Sequence, residues 1–303
     1  MKSSTKWFLI ILGILMFVGV GGIMFFYLIM VGLTSDRTEV VVGSGDKIAV
    51  VELNGVILSS EETVRQFKKY RDNHSIKGIL FRVDSPGGGV VASQEIFEEV
   101  KKTRDAGKPV VVSMGALAAS GGYYVSCCAS KIVSNPGTLT GSIGVISQFM
   151  RYDSLLGKIG VGVNTIKSGK FKDAGNPFRQ MSEEDKKYFQ DLMDNVHRQF
   201  ISAVEYERDL DHDSVIAFAD GRVFTGEQAL EMGLVDTLGT YEDAIMIVAK
   251  LAGIKGEPSI VQEKKLVTIF DRLLGETKIT ELLDLKKELL NQPMLQYRMV
   301  QGF

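Results

Sequence analysis

Three short runs constrain the fold most: "KIAVVELNGVI" (47–57), "GILFRV" (78–83) and "PVVVSM" (109–114). Each is almost wholly apolar and of strand length, with no polar face to give to water. Such strands need cover on both sides, as in a parallel sheet flanked by helices. Between them, "EETVRQFKKYRDN" (61–73) and "SQEIFEEVKKTRDAG" (93–107) read as helices with one apolar face, the second stopped by glycine. Alternation of this kind specifies an α/β domain with a mainly parallel sheet. "KIVSNPG" supplies a fourth strand, and "SIGVISQF" and "VGVNTIKSG" two more around a helix near 152–159. Residues 182–209 read as one long helix, with Ser182 as N-cap and Asp185 three residues later. A further helix is expected near 240–252.

The chain is 45% hydrophobic, and the excess sits ahead of this domain. From Trp7 to Leu33 there is no charged residue. As a helix this run is roughly 40 Å long, more than the ~30 Å hydrocarbon core of a bilayer. A cleaved secretory leader has a shorter apolar region, about 7–15 residues, and a small-residue cleavage site. The expectation is therefore a transmembrane anchor at 7–33. Lys2 and Lys6 precede it, so residues 1–6 are placed in the cytoplasm and the rest outside the membrane. Residues 34–46 read as a linker, 47–262 as the folded domain and 263–303 as an amphipathic tail. In that tail, Leu266, Ile269, Phe270, Leu273 and Leu274 fit one helix face, and Ile279, Leu282, Leu283, Leu289 and Leu290 a second. These faces fit the domain's own core, another subunit or a membrane surface.

Net charge is −2, which excludes a nucleic-acid footprint. The only cysteines, Cys127 and Cys128, are neighbours, and His74, His197 and His212 are scattered. Neither a disulfide framework nor metal-ligand spacing results, so no metal and no cofactor is expected.

Three Gly- or Ser-rich turns follow apolar strands: "DSPGGG" (84–89), "AASGG" (118–122) and "TGS" (140–142). Strand C-termini share one edge of a parallel sheet, where ligands bind. Ser120 is flanked by small residues and precedes the helix-like "GGYYVSCCAS", a relaxed nucleophile elbow with Ala118 where glycine is usual. The same placement suits a plain helix cap. Ser126, Cys127 and Cys128 fall one to two turns into that helix and read as packing residues. The consecutive N–H groups of "DSPGGG" suit an oxyanion hole. They suit phosphate too, but no Lys-Ser/Thr follows for a Walker site. With no histidine nearby, the base for a serine is lysine. "IKSGKFKDAGNP" (166–177) offers Lys167, Lys170 and Lys172. Such a lysine must be desolvated to become neutral, and composition does not choose among the three.

Taken in order over residues 47–250, "DSPGGG", "AASGGYY", "TGSIGV", "IKSGKFKD" and "ADGRVFTGEQALEMGLVDTLG" resemble the bacterial signal peptide peptidase A family, in its short, undoubled form. The resemblance implies a Clp-protease/crotonase-like α/β fold (a ββα superhelix) behind an N-terminal transmembrane helix. It implies a Ser–Lys peptidase with Ser120 as nucleophile, Lys172 as base, Ser142 orienting the lysine, and Gly87 and Gly121 as oxyanion hole. Its implied substrates are remnant signal peptides and other unfolded peptides. It further implies a homo-oligomeric ring in the inner (plasma) membrane, the catalytic domain extracytoplasmic and its sites shared between protomers. A catalytically weak membrane scaffold and a crotonase-fold acyl-CoA enzyme are the competing classes.

Overall fold

The computed structural model describes residue 7 and residues 12–13, 15–25, 37–265 and 295–299. These fall into two compact units. The smaller, Met1–Val40 with Glu263–Lys287, includes helical residues 15–25, whose apolar side chains are exposed. Among the described residues no helix is long and apolar enough to cross a membrane. Much of the expected 7–33 span (residues 8–11, 14 and 26–33) lies outside the described residues, as do both expected tail helices.

The larger unit is Val41–Gln262 with Glu288–Phe303. In chain order the strands and helices are β1 (Arg37–Val42), β2 (Lys47–Asn54), α1 (Glu61–Asp72), β3 (Ile76–Ser85), β4 (Gly87–Gly89), α2 (Val90–Asp105), β5 (Val110–Ala119) and α3 (Gly121–Cys127). There follow β6 (Lys131–Ser134), β7 (Leu139–Gly141), α4 (Asp153–Lys158), α5 (Glu183–Arg208), α6 (His212–Phe218), β8 (Val223–Thr225), α7 (Gly226–Glu231), β9 (Thr237–Leu238), α8 (Tyr241–Leu251), β10 (Ser259–Lys265) and β11 (Gln296–Arg298). β1 straddles the boundary between the units and lies inside the segment read as a linker.

The main sheet runs β10-β2-β3-β5-β6-β9 with parallel neighbours throughout. β7 also pairs β5 in parallel, and β8 pairs β7 antiparallel, so the sheet is mixed. Alternate residues feed two cores. Ala49, Val51, Ile79, Phe81, Val110 and Val112 pack on the side that holds Phe67, Ile96 and Phe200. Ile48, Val50, Leu80 and Val111 pack against Ala244, Ile245 and Val248 of α8. Burial on both faces is why these strands read as unbroken apolar runs.

The capping box expected for α5 is present: the Ser182 hydroxyl accepts from Asp185 N at 3.1 Å, and the Asp185 carboxylate accepts from Ser182 N at 3.0 Å. The strands expected in 142–149 and 161–169 do not form. Ile146 makes a single bridge, to Gln296, and residues 161–169 are exposed with no strand beside them. Apolar side chains alone do not make a strand without a partner edge.

Candidate active site

β3, β5 and β7 end side by side. Ser85 is level with Ala118, and Ala119 with Gly141. The three turns that follow therefore meet at one edge of the sheet. Ser120 links β5 to α3 with φ 54° and ψ −117°. A non-glycine residue held there costs about 1–3 kcal/mol, strain that surrounding structure must enforce. Two bonds enforce it: Ser120 N donates to Gly141 O, and Tyr124 N to Ser120 O, both at 2.8 Å. Ser142 has a positive φ of 52° as well, and its N–H donates to Arg222 O at 2.8 Å. Ser120 and Ser142 are both buried.

The glycine loop closes over this turn. Gly87 has φ +94°, and a Cβ built on it would overlap the Tyr297 carbonyl oxygen and press on Gly121 N at 2.6 Å. Gly87 and Gly121 are thus brought together, with no room for a side chain on the first. The Gly87 N–H itself donates to Ser85 Oγ at 3.1 Å. Ile57 N donates to Gly87 O, and Gly89 N to Ile57 O. Backbone groups alternate sides along a strand, so the N–H and C=O of Gly88 face the other way, toward Tyr297.

That neighbour is β11, antiparallel to β4 with Tyr297 opposite Gly88. Gln296 also exchanges backbone hydrogen bonds with Ile146, and Met299 N donates to Pro86 O at 2.8 Å. The chain's own segment 295–299 therefore lies between the glycine loop and the segment after Ser142. Sequence reasoning missed it. The available signal was the alternation of Leu295, Tyr297 and Met299 after Pro293, a period of two.

Lys172 is not joined to these groups within the chain. It lies in an exposed turn, Lys172 N donating to Gly169 O at 3.2 Å, and its ammonium has no partner among the described residues. The other two lysines do. Lys167 pairs with Asp173 at 2.6 Å and Lys170 with Glu184 at 2.7 Å. Arg179 clamps the turn, bonding Asp173 and, at 2.6 Å, Asp185. The Arg179 guanidinium, with Lys167 next, holds Asp173 far below the usual carboxylate range.

Cys127 and Cys128 are fully buried, and burial pushes both thiols up, Cys127 well beyond its ordinary range. A thiol so desolvated is not a nucleophile. Among the described residues no group of His, Cys, Asp and Glu could hold a metal ion.

A strained serine between a parallel strand and a helix, with glycine backbone beside it, is an arrangement that suits a nucleophilic serine. Residues 102–255 match the model of peptidase family S49. The chain is 44% identical over 209 residues to "Putative protease slr0021" of Synechocystis sp., covering 69% of this chain and 75% of that one. It is 36% identical to "Putative signal peptide peptidase SppA" of Enterococcus faecium, over 80% and 74% of the two chains. It is 38% identical to "Protease 4" of Salmonella typhi over 70% of this chain, but only 36% of that longer one. The chain belongs to peptidase family S49 and is a serine peptidase.

Proposed function

We propose that the chain is a membrane-anchored endopeptidase with a Ser120–Lys172 dyad, built on a Clp-protease/crotonase-like fold, and that it degrades remnant signal peptides. The observation that carries this reading is Ser120 itself, strained at the strand end beside Gly121 and the glycine loop. Neutral Lys172 takes the Ser120 proton as Oγ attacks the scissile carbonyl. The N–H of Gly121 and an N–H of the loop, Gly87 or Gly88, hold the oxyanion. Lys172 then protonates the leaving amine, and water releases the acyl group. Ser142 orients the lysine.

Lys172 reaches the serine of a neighbouring protomer. Three observations support this: its ammonium is unpaired among the described residues, it makes no bond to Ser120 of its own chain, and the segment around it exposes apolar side chains, Met150, Leu155, Ile159 and Ile166 among them. Such a surface suits burial against a second copy. Docking would also desolvate the lysine and favour its neutral form. The charge-free run at 7–33 and the name of the Enterococcus relative support the anchor and the substrate.

The test is cleavage of an unstructured peptide by single variants. Ser120→Ala and Lys172→Ala each lower kcat by at least about 10³-fold, while Lys167→Ala and Lys170→Ala remain active. Full activity in Ser120→Ala would end the proposal.

A further inference from the structure

β5 carries more residues than its neighbour can pair. Val83 of β3 is level with Met114, and Ser85 with Ala118. Asp84 alone therefore stands opposite Gly115, Ala116 and Leu117, which bulge out of the pairing. A bulge of two extra residues keeps the later side chains on their own faces, because the strand period is two. What it changes is how far β5 reaches. Counting on from Ser85 and Ala118, Ser120 comes level with Gly87, whose loop lies against Gly121. Paired straight on from Val83 and Met114, β5 would instead bring Ser120 level with Gly89. That is about 6–7 Å further along, at ~3.3 Å per residue. The position of Ser120 is thus set by whether the bulge holds.

Backbone groups at a bulge lose regular ladder partners and need others. Here side chains supply them from both flanking strands. Just before the bulge, the Arg82 guanidinium donates to Met114 O at 3.0 Å and to Ser113 Oγ at 2.9 Å. Within it, the hydroxyl of Thr138, the residue ahead of β7, donates to Gly115 O at 2.7 Å. At its end, an Asp84 carboxylate oxygen accepts from Leu117 N at 3.1 Å. The fit is close: a Cβ built on Gly115 would lie 2.5 Å from Asp84 Cγ. Thr138 is buried, and Arg82 is steadied by the Tyr241 ring of α8, 5.6 Å from its Cζ to the centroid. The Asp84 carbonyl also accepts from Gly55 N at 2.9 Å, which fixes β3 at the same level from its other side. Arg82 and Asp84 share a sheet face with Leu80, which packs on α8, whereas Val83 packs in the core that holds α3. The brace therefore acts on Ser120 from the opposite face of the sheet, through the backbone of β5.

We infer that Asp84, with Arg82 and Thr138, is a positioning residue: by closing the bulge, these side chains hold β5 in the register that delivers Ser120 to the glycine loop. This rests on Ser120 being the nucleophile, as proposed above. Asp84 acts as a hydrogen-bond acceptor, so its oxygen matters and its charge does not. A misplacement of about 1 Å in a reacting group costs on the order of 10²-fold in rate.

The test measures peptide cleavage by full-length variants, each beside a thermal melt. Asp84→Ala should lower kcat at least about 10-fold with KM within about 2-fold of wild type. Asp84→Asn, which keeps an acceptor oxygen, should bring kcat back to within about 3-fold. Hydrogen exchange over residues 114–120 should quicken in Asp84→Ala and not in Asp84→Asn. If Asp84→Ala fails to fold, Thr138→Val and Thr138→Ser carry the test from the other side of the bulge. Thr138→Val should lose kcat in the same way, and Thr138→Ser, which keeps the hydroxyl, should recover it. Three results overturn the positioning role while Ser120→Ala stays inactive: wild-type kcat in folded Asp84→Ala or Thr138→Val, a loss seen only as a raised KM, or Asp84→Asn as impaired as Asp84→Ala. Full activity in Ser120→Ala overturns the nucleophile reading beneath it.

Discussion

At the residue scale, the glycine of the loop is more constrained than the serine it serves. Gly87 combines a positive φ with a backbone neighbour on the side where a Cβ would go. Gly87→Ala must shift either β11 or the turn after Ser120. The expected outcome is a folded protein whose kcat falls by about 10²-fold, the scale of losing an oxyanion donor. Peptide turnover beside a thermal melt checks it; unchanged turnover would show that the loop does not serve the oxyanion. Of the residues proposed for the site, Ser120, Gly87 and Ser142 were legible because each stands just after an apolar strand. Ser120 was visible among four hydroxyl and thiol candidates, and Cys127 and Cys128 were correctly read as packing. The choice among three lysines was not legible from composition. The proposal takes Lys172, whose ammonium has no carboxylate partner among the described residues, whereas Lys167 and Lys170 pair with carboxylates 6 and 14 residues away in the chain.

At the element scale, the turn that carries Lys172 is held by charge more than by apolar packing. Asp185 titrates at about 2, chiefly through its bond to the Arg179 guanidinium and then to the Ser182 amide, and Asp173 lies lower still. Carboxylates with a depressed folded value stabilise the fold above their ordinary 3.8. That contribution is lost as pH falls from there through the folded values. Hydrogen exchange across residues 167–185 should therefore quicken as pH is lowered from about 4 to about 2, once corrected for intrinsic rates. Arg179→Ala should remove the step and expose the turn at neutral pH, with activity reduced because Lys172 loses its placement. A step that survives in Arg179→Ala would show another origin. The capping box that starts α5 was legible, because its two residues are three apart. The absent strands at 142–149 and 161–169 and the unexpected β11 were not. Whether an apolar run becomes a strand depends on which edge is free, and for Gln296 that edge is Ile146, contributed by a distant part of the chain.

At the scale of the whole molecule, the α/β class and the convergence of three turns follow from the apolar runs, whereas the two members of the proposed dyad are not joined within one chain. Ser120, Gly87, Gly121 and Ser142 meet in this chain, whereas Lys172 stands away from them on an exposed arm. On the proposed shared site, a monomer would be inactive, which would protect folded neighbours until subunits assemble. The most direct test mixes full-length Ser120→Ala with full-length Lys172→Ala, each inactive alone, and verifies mixed assemblies by mass. With one residue of each site taken from the next protomer, random mixing at equal amounts restores about a quarter of the sites. Peptide cleavage recovering toward that level is the predicted result. Mixed assemblies that remain as inactive as either variant would contradict the shared site.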